Sequence, residues 1–438
     1  VALAQTVIDL GFMRALVQRE TLSDRQRSTA FWTILVVSVL VFAGLVASSR
    51  IVAFLFDEPQ LRTILPVLCL GLVMQGYSDA AKGLLMRDIK FDFIAVCSFT
   101  ATVTGTVVGI VMAYFEWGVW SLVSYRLTIT FVGSVGYWIG LDWAPEMVYS
   151  WEDFYDLLEF GKSVAARYFI RRVGSRLDDL IIGYFLGSSL LGYYAIAYRI
   201  VNLTGQLLVG SLSSVAMPLF SRLQDELKRL EKAFLSAMQL TSTLAFPVYA
   251  SIIVLSHDFV LLVFGKKWEQ AVPLLEVLLL SGPAVVFLKY LISLLEALDK
   301  PDYSFYLTLT ETGLMAVLFL LVAPFGLMPV CLAFIGIKTL LVPLTMYFTL
   351  PLLDLGVGRL VRTVVHPFLG SGFVVAGMMV SDSLLQTPFT LWGLLLRAVL
   401  CVVFYFSYMF LFASTILVEV KDLLYQFLFK GEKEALFK

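Results

Sequence analysis

Charged side chains cluster inside one stretch that is otherwise apolar enough to cross a membrane. Among them are Lys162, Arg167, Arg171, Arg172, Arg176, Asp178 and Asp179, all within residues 156–186. Charges held in hydrocarbon are costly; they face a cavity or a partner and mark substrate and ion pathways. Arg171 and Arg172 fall near the middle of the stretch. Arg167 and Arg171 share one helical face at i, i+4, and Arg172 and Arg176 share another. Arg199 enters from the next apolar stretch, 190–218, at a depth similar to Arg176–Asp179. Guanidinium groups bind phosphate oxygens bidentately, so Arg167, Arg171, Arg172, Arg176 and Arg199 together have the chemistry to hold a diphosphate. Arg176 and Arg199 have a second reading, in which they pair with Asp178 or Asp179 and fix helix packing. The four basic residues between 167 and 176 outnumber the two acids, so pairing cannot neutralise them all. Lys162 reaches back to the headgroups.

Two further carboxylates, Glu276 and Glu311, lie inside apolar stretches and are candidates for ion coupling; pairing with a cation on a neighbouring helix is the other reading. Arg126, Lys289, Glu296, Lys338 and Arg397 are further charges in such stretches. Cys69, Cys97, Cys331 and Cys401 each stand alone among apolar residues, and His257 and His366 have no neighbour at ligand spacing. No metal site, cofactor or disulfide framework is expected from them.

The elements that must carry these side chains are membrane helices. The chain has 438 residues, of which 59% are hydrophobic and 15% charged, with a mean hydropathy of +0.87. Soluble domains are about 45–50% apolar and about 25% charged, so a water-soluble globular enzyme is excluded, and so is a disordered chain. The net charge of −1 gives no attraction to nucleic acid. A helix-length hydropathy window predicts a partial helix at 1–17 and spans at 30–55, 61–86, 92–114, 118–140, 156–186, 190–218, 233–256, 269–297, 303–324, 327–350, 361–381 and 389–417. The fold class is therefore all-α, a polytopic integral membrane protein. The apolar start without a Met reads as the second half of a helix. Connecting loops are short, which leaves no soluble domain between the spans.

Basic residues concentrate in alternate loops: Arg19, Arg25 and Arg27; Arg87 and Lys90; Arg222, Lys228, Arg229 and Lys232; Lys300; Arg359 and Arg362; and the tail from Lys421 to Lys438. The positive-inside rule places these loops and the C-terminus in the cytoplasm. An internal repeat is also visible. Leu16-Val17-Gln18-Arg19 matches Leu219-Phe220-Ser221-Arg222, Ala30-Phe31 matches Ala233-Phe234, and Leu65-Pro66-Val67-Leu68 matches Val272-Pro273-Leu274-Leu275. An even number of spans separates the copies, so the repeat is parallel, and designs of that kind bind substrate between two bundles that rock.

Four groups of residues carry a family resemblance. They are Asp9-Leu10-Gly11-Phe12 with Ala15-Leu16-Val17-Gln18-Arg19; Leu191-Gly192-Tyr193-Tyr194 with Ala197-Tyr198-Arg199; Met217-Pro218-Leu219-Phe220-Ser221-Arg222; and Val263-Phe264-Gly265-Lys266-Lys267-Trp268. Together they resemble polysaccharide flippases, in the colanic acid and teichuronic acid exporter branch of the multidrug/oligosaccharidyl-lipid/polysaccharide exporter superfamily. The resemblance implies two pseudo-symmetric six-helix lobes plus two C-terminal helices, with the first one and a half helices absent from this chain. It divides the chain into an incomplete N-terminal lobe at 1–140, a cytoplasmic linker at 141–155, a C-terminal lobe at 156–350, two additional helices at 351–417 and a cytoplasmic tail at 418–438.

The function implied is outward movement of an isoprenoid-diphosphate-linked oligosaccharide across the cytoplasmic membrane by alternating access, without enzymatic chemistry. Expected partners are that lipid-linked oligosaccharide, membrane lipids, a polysaccharide polymerase and glycosyltransferases, but no nucleic acid. Two rivals remain at this point. A cation-coupled multidrug exporter of the same fold would favour an acidic cavity; a membrane-embedded polysaccharide polymerase or ligase would need a large external loop. The orientation has a direct check. Single cysteines introduced at Lys266 and Lys433 should label oppositely with an impermeant thiol reagent in intact cells, position 266 reacting and position 433 not.

Overall fold

The computed structural model describes residues 4–5, 8, 12–19, 22–159, 173–174, 176–384 and 390–420. Among them there are helices and turns and no strand. In chain order the helices are α1 (Phe12–Gln18), α2 (Asp24–Leu55), α3 (Leu61–Arg87), α4 (Phe91–Tyr114), α5 (Val119–Ile139), α6 (151–159), α7 (Leu177–Gly205), α8 (Ser211–Arg222), α9 (Leu227–Val263), α10 (Val272–Leu279), α11 (Gly282–Ala297), α12 (Pro301–Val322), α13 (Leu327–Thr349), α14 (Val357–Leu384) and α15 (Leu391–Phe412). Nine described helical runs are long and apolar enough to cross a membrane. The pair Lys266–Leu279 and Gly282–Ala297, bent by 46°, makes a tenth. Phe54, Phe99, Leu122 and Phe410 are among many large apolar side chains left exposed, as lipid contact requires. The protein is a multi-pass membrane protein.

The chain divides into two compact units, residues 1–176 and 177–438. In the first, α2 packs on α3, and α5 packs on both α3 and α4. Phe12, Leu16, Phe31, Ile34, Leu72 and Leu157 form its buried centre. Ser23 caps α2: its hydroxyl accepts from the Gln26 amide at 3.2 Å while the Gln26 side chain accepts from the Ser23 amide at 3.1 Å. This reciprocal cap fixes the start of a 32-residue helix. The segment before and including α6 is tied to the same end of α2. Trp32 donates to the Glu146 carbonyl at 2.8 Å, Arg25 pairs with Asp153 at 2.6 Å, and Arg19 pairs with Asp156 at 2.5 Å.

In the second unit, α9 packs on α14, α10 and α11, and α14 packs on α15. Its α2 counterpart under the repeat is α9, which starts 203 residues after α2 and is 37 residues long. Pro66 sits inside α3, and its repeat partner Pro273 sits at the start of α10, where a missing amide costs nothing. Gly282 lets α11 approach α9 closely, since a Cβ there would fall 2.5 Å from the Tyr249 ring.

The continuous helical run from Leu177 to Arg222 is not a single span. Tyr194 donates to the Asp178 carboxylate at 3.0 Å. Residues sixteen apart in a straight helix are about 24 Å apart, so the chain must fold back between them. It does so at Gly187, at φ 81° and ψ 175°. This divides the run where the hydropathy reading places the junction of 156–186 with 190–218. Of the span 156–186 itself, α6 ends at 159 and α7 begins at Leu177, and residues 160–172 lie outside the described residues.

The other departure from the hydropathy reading is α5. It has the length of a span, 21 residues, but is not among the nine apolar ones. Arg126 and a line of hydroxyls lower its hydropathy.

Gly187 yields a stability test. Its backbone conformation is one that residues with a Cβ reach only at a cost of about 1–3 kcal/mol. Gly187→Val should therefore lower the thermal unfolding midpoint of the detergent-purified protein. Gly313→Ala, in a helix with open space around it, should leave that midpoint unchanged or raise it.

Candidate substrate-binding sites within the membrane

The turn at Gly187 sets one side by side arrangement. Asp178, 7% exposed, accepts from the Tyr194 hydroxyl and, at 2.9 Å, from the Asp179 amide. Tyr194 stacks on Tyr198 with centroids 5.4 Å apart, and Tyr198 meets the edge of Phe334 on α13 at 5.7 Å. The Lys338 ammonium lies 5.6 Å over the Phe334 ring and pairs with Glu311 on α12. Both partners of this pair are mostly withdrawn, at 18% and 24% exposure. A carboxylate on α7 is thus linked through three aromatic rings to an ion pair joining α12 and α13.

Of the residues singled out in the sequence, Arg167, Arg171 and Arg172 lie outside the described residues, as does Lys162. Arg176 is a turn residue immediately before α7, and it is exposed. Arg199 projects from α7 to an exposed position and makes no ion pair among the described residues. Seven residues on from it, the helix passes into a π segment, Gln206–Gly210, ahead of Pro218. Segments of that kind loosen the backbone ladder and occur at functional positions. Glu276 on α10 accepts from the Ser256 hydroxyl of α9 at 2.7 Å. Glu311 is held by Lys338. Arg397 pairs with both Asp258 and Asp382 and so pins α15 to α9 and α14.

The sequence reading missed a second polar site, in the first unit. A cavity of about 230 Å³ opens between α3, α4 and α5. Gln75, Ser78, Asp79 and Lys82 line it from α3; Ser98 and Thr102 from α4; and Arg126, Thr130, Ser134 and Tyr137 from α5. On each helix the spacing is three, four, seven or eight residues, so three polar stripes converge inside segments that otherwise face lipid. Tyr137 and Ser98 share a hydrogen bond at 3.0 Å. Ser134 donates to the Met74 carbonyl at 3.0 Å, clamping α5 to α3. The Lys82 ammonium lies 5.6 Å from the Tyr137 ring centroid. Among the described residues, neither Lys82 nor Arg126 makes an ion pair. The signal was present as the run Gln75, Ser78, Asp79, Lys82 at i, i+3, i+4, i+7, but window averaging over an apolar helix conceals such a stripe. No group of three or more His, Cys, Asp or Glu side chains able to hold a metal ion occurs among the described residues.

Known proteins share this architecture. The family described as polysaccharide biosynthesis protein matches residues 1–273. The teichuronic acid biosynthesis protein TuaB of Bacillus subtilis (strain 168) is 26% identical over 305 residues, covering 69% of this chain and 63% of TuaB. The succinoglycan biosynthesis transport protein ExoT of Rhizobium meliloti (strain 1021) is 26% identical over 302 residues, covering 66% of this chain and 61% of ExoT. The chain thus spans somewhat less than two thirds of these relatives. Among solved structures, the lipid II flippase MurJ in an inward closed conformation superposes with a TM-score of 0.76 at 12% identity, over 95% of this chain and 90% of MurJ. The fold is that of MurJ.

The Glu311–Lys338 pair can be tested as a packing element. Removing one partner of a withdrawn ion pair costs about 3–5 kcal/mol, whereas replacing both by apolar or neutral groups of similar size is close to neutral. Lys338→Met should lower the unfolding midpoint sharply. Lys338→Met combined with Glu311→Gln should recover most of the loss, measured by thermal unfolding of the purified protein.

Proposed function

The chain belongs to the polysaccharide biosynthesis protein family, and on that premise we propose that it carries isoprenoid-diphosphate-linked oligosaccharide repeat units outward across the cytoplasmic membrane. It acts as a transporter and not as an enzyme. The observation that carries this reading is the family match on a body built from membrane-spanning helices. A precursor of this kind has an apolar tail at home in lipid and a charged, hydroxylated head that is not. Moving the head requires polar side chains held inside the bilayer, and this chain spends stability to keep them there. ExoT, a transport protein of succinoglycan biosynthesis, supports the same reading.

The diphosphate is held by Arg167, Arg171, Arg172, Arg176 and Arg199. By residue count, Gly187 lies eleven residues after Arg176 and twelve before Arg199, so the two cations stand at matching distances along the arms that leave that turn. The lobes at 1–140 and 156–350, joined by the linker at 141–155, rock about the bound head group, with 351–417 as two additional helices. The tail at 418–438 is cytoplasmic. Glycosyltransferases supply the lipid-linked unit and a polymerase consumes it. Glu276 and Glu311 are the carboxylates for ion coupling. Glu311 is held by Lys338, so coupling through it requires the ion to displace that ammonium. A basic rather than acidic set of side chains separates this reading from export of cationic drugs.

The test is a flipping assay in proteoliposomes with a fluorescent isoprenoid-diphosphate oligosaccharide. Charged hydrogen bonds are worth about 1.5–3 kcal/mol each. Arg171→Ala should therefore weaken substrate binding about 10- to 150-fold, and Arg171→Glu should abolish transport. Arg171→Lys should retain part of the activity, because the charge survives and the bidentate fork does not. Full activity in Arg171→Glu would remove the diphosphate role.

A further inference from the structure

Three neighbouring helices of the second unit are interrupted at one level. The run α7–α8 passes through the π segment Gln206–Gly210, where the Ser211 amide donates to the Gln206 carbonyl five residues back. Pro247 sits inside α9, and the chain bends by 46° between α10 and α11. Gly205 lies 18 residues after the turn at Gly187, Tyr249 lies 16 residues before Gly265, and Gly282 lies 17 residues after Gly265. Tyr193 meets Trp268 edge-on at 5.7 Å, so the turns at Gly187 and Gly265 share one end of the unit. At 1.5 Å per residue the three positions stand about 24–27 Å from that end. Tyr249 joins them. It is buried; a Cβ on Gly205 would fall 3.3 Å from its hydroxyl, and one on Gly282 would fall 2.5 Å from its ring.

The π segment carries one residue too many for an α-helix. Ala197, Val201 and Thr204 are buried before it at steps of four and three; Val209, Ser213 and Ala216 are buried from its end onward at the same steps. The step from Thr204 to Val209 is five. Bonding from i to i+5 absorbs the extra residue and keeps one face buried throughout. In α9, Pro247 has no amide to offer the Thr243 carbonyl. The Tyr405 hydroxyl of α15 donates to that carbonyl instead, at 2.8 Å. Side chains staple the helices together on either side of the level. Nearer Gly187 and Gly265, Glu276 accepts from Ser256, and Tyr193 packs on Trp268. Toward the other end, Thr241 shares a hydrogen bond with Tyr290, and Phe220 packs against Phe234 with centroids 6.1 Å apart.

We propose that this level is a hinge inside the second unit. The parts of α8, α9 and α11 beyond it swing as one block against α7, α10 and the rest of α9, with Tyr249 as the contact about which they turn. Bending a helix elsewhere would break backbone bonds; here the proline, the π segment and the break between α10 and α11 have already loosened or removed them. The ring of Tyr249 meets glycine backbone on α7 and α11, so no side chain interlocks with it and the block can pivot without unpacking. The staples on each side keep the two blocks intact as they move. The use of this bend in transport rests on the reading above; the bend itself does not.

Deleting Leu207, an exposed residue of the π segment, tests this. The deletion returns the step from Thr204 to Val209 to four and lets the helix run on as α. The variant should unfold at or above the wild-type midpoint. Deleting Val215, an exposed residue in the regular turns of α8, should lower the midpoint sharply, because it moves Ala216 and Phe220 off the buried face. Spin labels on cysteines placed at Lys266 and Gln224, at the two ends of the unit, read the bend in lipid nanodiscs. The wild type should show two distances, and the chain lacking Leu207 only one. That variant should also move lipid-linked oligosaccharide severalfold more slowly in proteoliposomes. A midpoint loss as large for Leu207 as for Val215 overturns the inference, and so does a single distance in the wild type. A variant held at one distance that transports at the wild-type rate overturns it too. A wild type that shows both distances, loses one on deletion of Leu207 and moves no glycan upholds the hinge and refutes the transport reading instead.

Discussion

The organising constraint is the cost of placing charge where there is no water. A cation at the centre of a membrane helix costs about 2.5–3.5 kcal/mol even after snorkelling and local water entry. Each such residue must therefore be matched by a partner or by a polar cavity, and the described charges sort accordingly. Lys338 is matched by Glu311, and Arg397 by Asp258 and Asp382. Those pairs tie α12 to α13 and α15 to α9 and α14. Lys82, Arg126 and Arg199 have no ion pair among the described residues. Their charge remains available to a ligand, and they lie on helices that must cross the bilayer.

The fold places these free cations through backbone chemistry as much as through packing. The turn at Gly187 brings Asp178 against Tyr194 and determines how far along its arm Arg199 stands. The π segment that follows separates the arginine-bearing part of α7 from α8. In the first unit the Ser134 bond to the Met74 carbonyl and the Tyr137–Ser98 bond hold α5 against α3 and α4, so the polar stripes face one another. A site that must recognise its ligand needs this rigidity within each unit.

Much of this was legible in the sequence, for identifiable reasons. Apolar runs of helix length locate α2, α3, α4, α9, α12, α13, α14 and α15, because a helix satisfies its own backbone hydrogen bonds in lipid and needs about 20 apolar residues to cross it. The junction at 187–189 was legible because a glycine and two serines interrupt an apolar run there. The motifs shared with polysaccharide flippases gave the superfamily, and the family match and the MurJ superposition agree with them. What escaped was pairing across helices. Glu311 and Lys338 are 27 residues apart, and nothing in a linear pattern distinguishes a carboxylate waiting for an ion from one already holding an ammonium. The cavity on α3 to α5 escaped for a different reason. Its polar residues are spread over three helices, and each stripe is diluted by the lipid-facing residues between its members. Arg126 was noticed only as a charge out of place; its neighbours Lys82 and Asp79 give it meaning only in three dimensions. The arginines at 167, 171 and 172 lie outside the described residues, and their role rests on charge and spacing.

The central claim is that cations within the spans line a watered route which the lipid-linked oligosaccharide occupies. Single cysteines at Gln75, Thr102 and Thr130, compared with one at the lipid-facing Leu122, test it most directly, because the four native cysteines are buried. With a small hydrophilic thiol reagent, positions 75, 102 and 130 should react rapidly and be protected by added isoprenoid-diphosphate oligosaccharide, while position 122 should react slowly with or without it. Equal, slow reaction at all four positions, or rapid reaction that the lipid-linked oligosaccharide does not slow, would contradict the account.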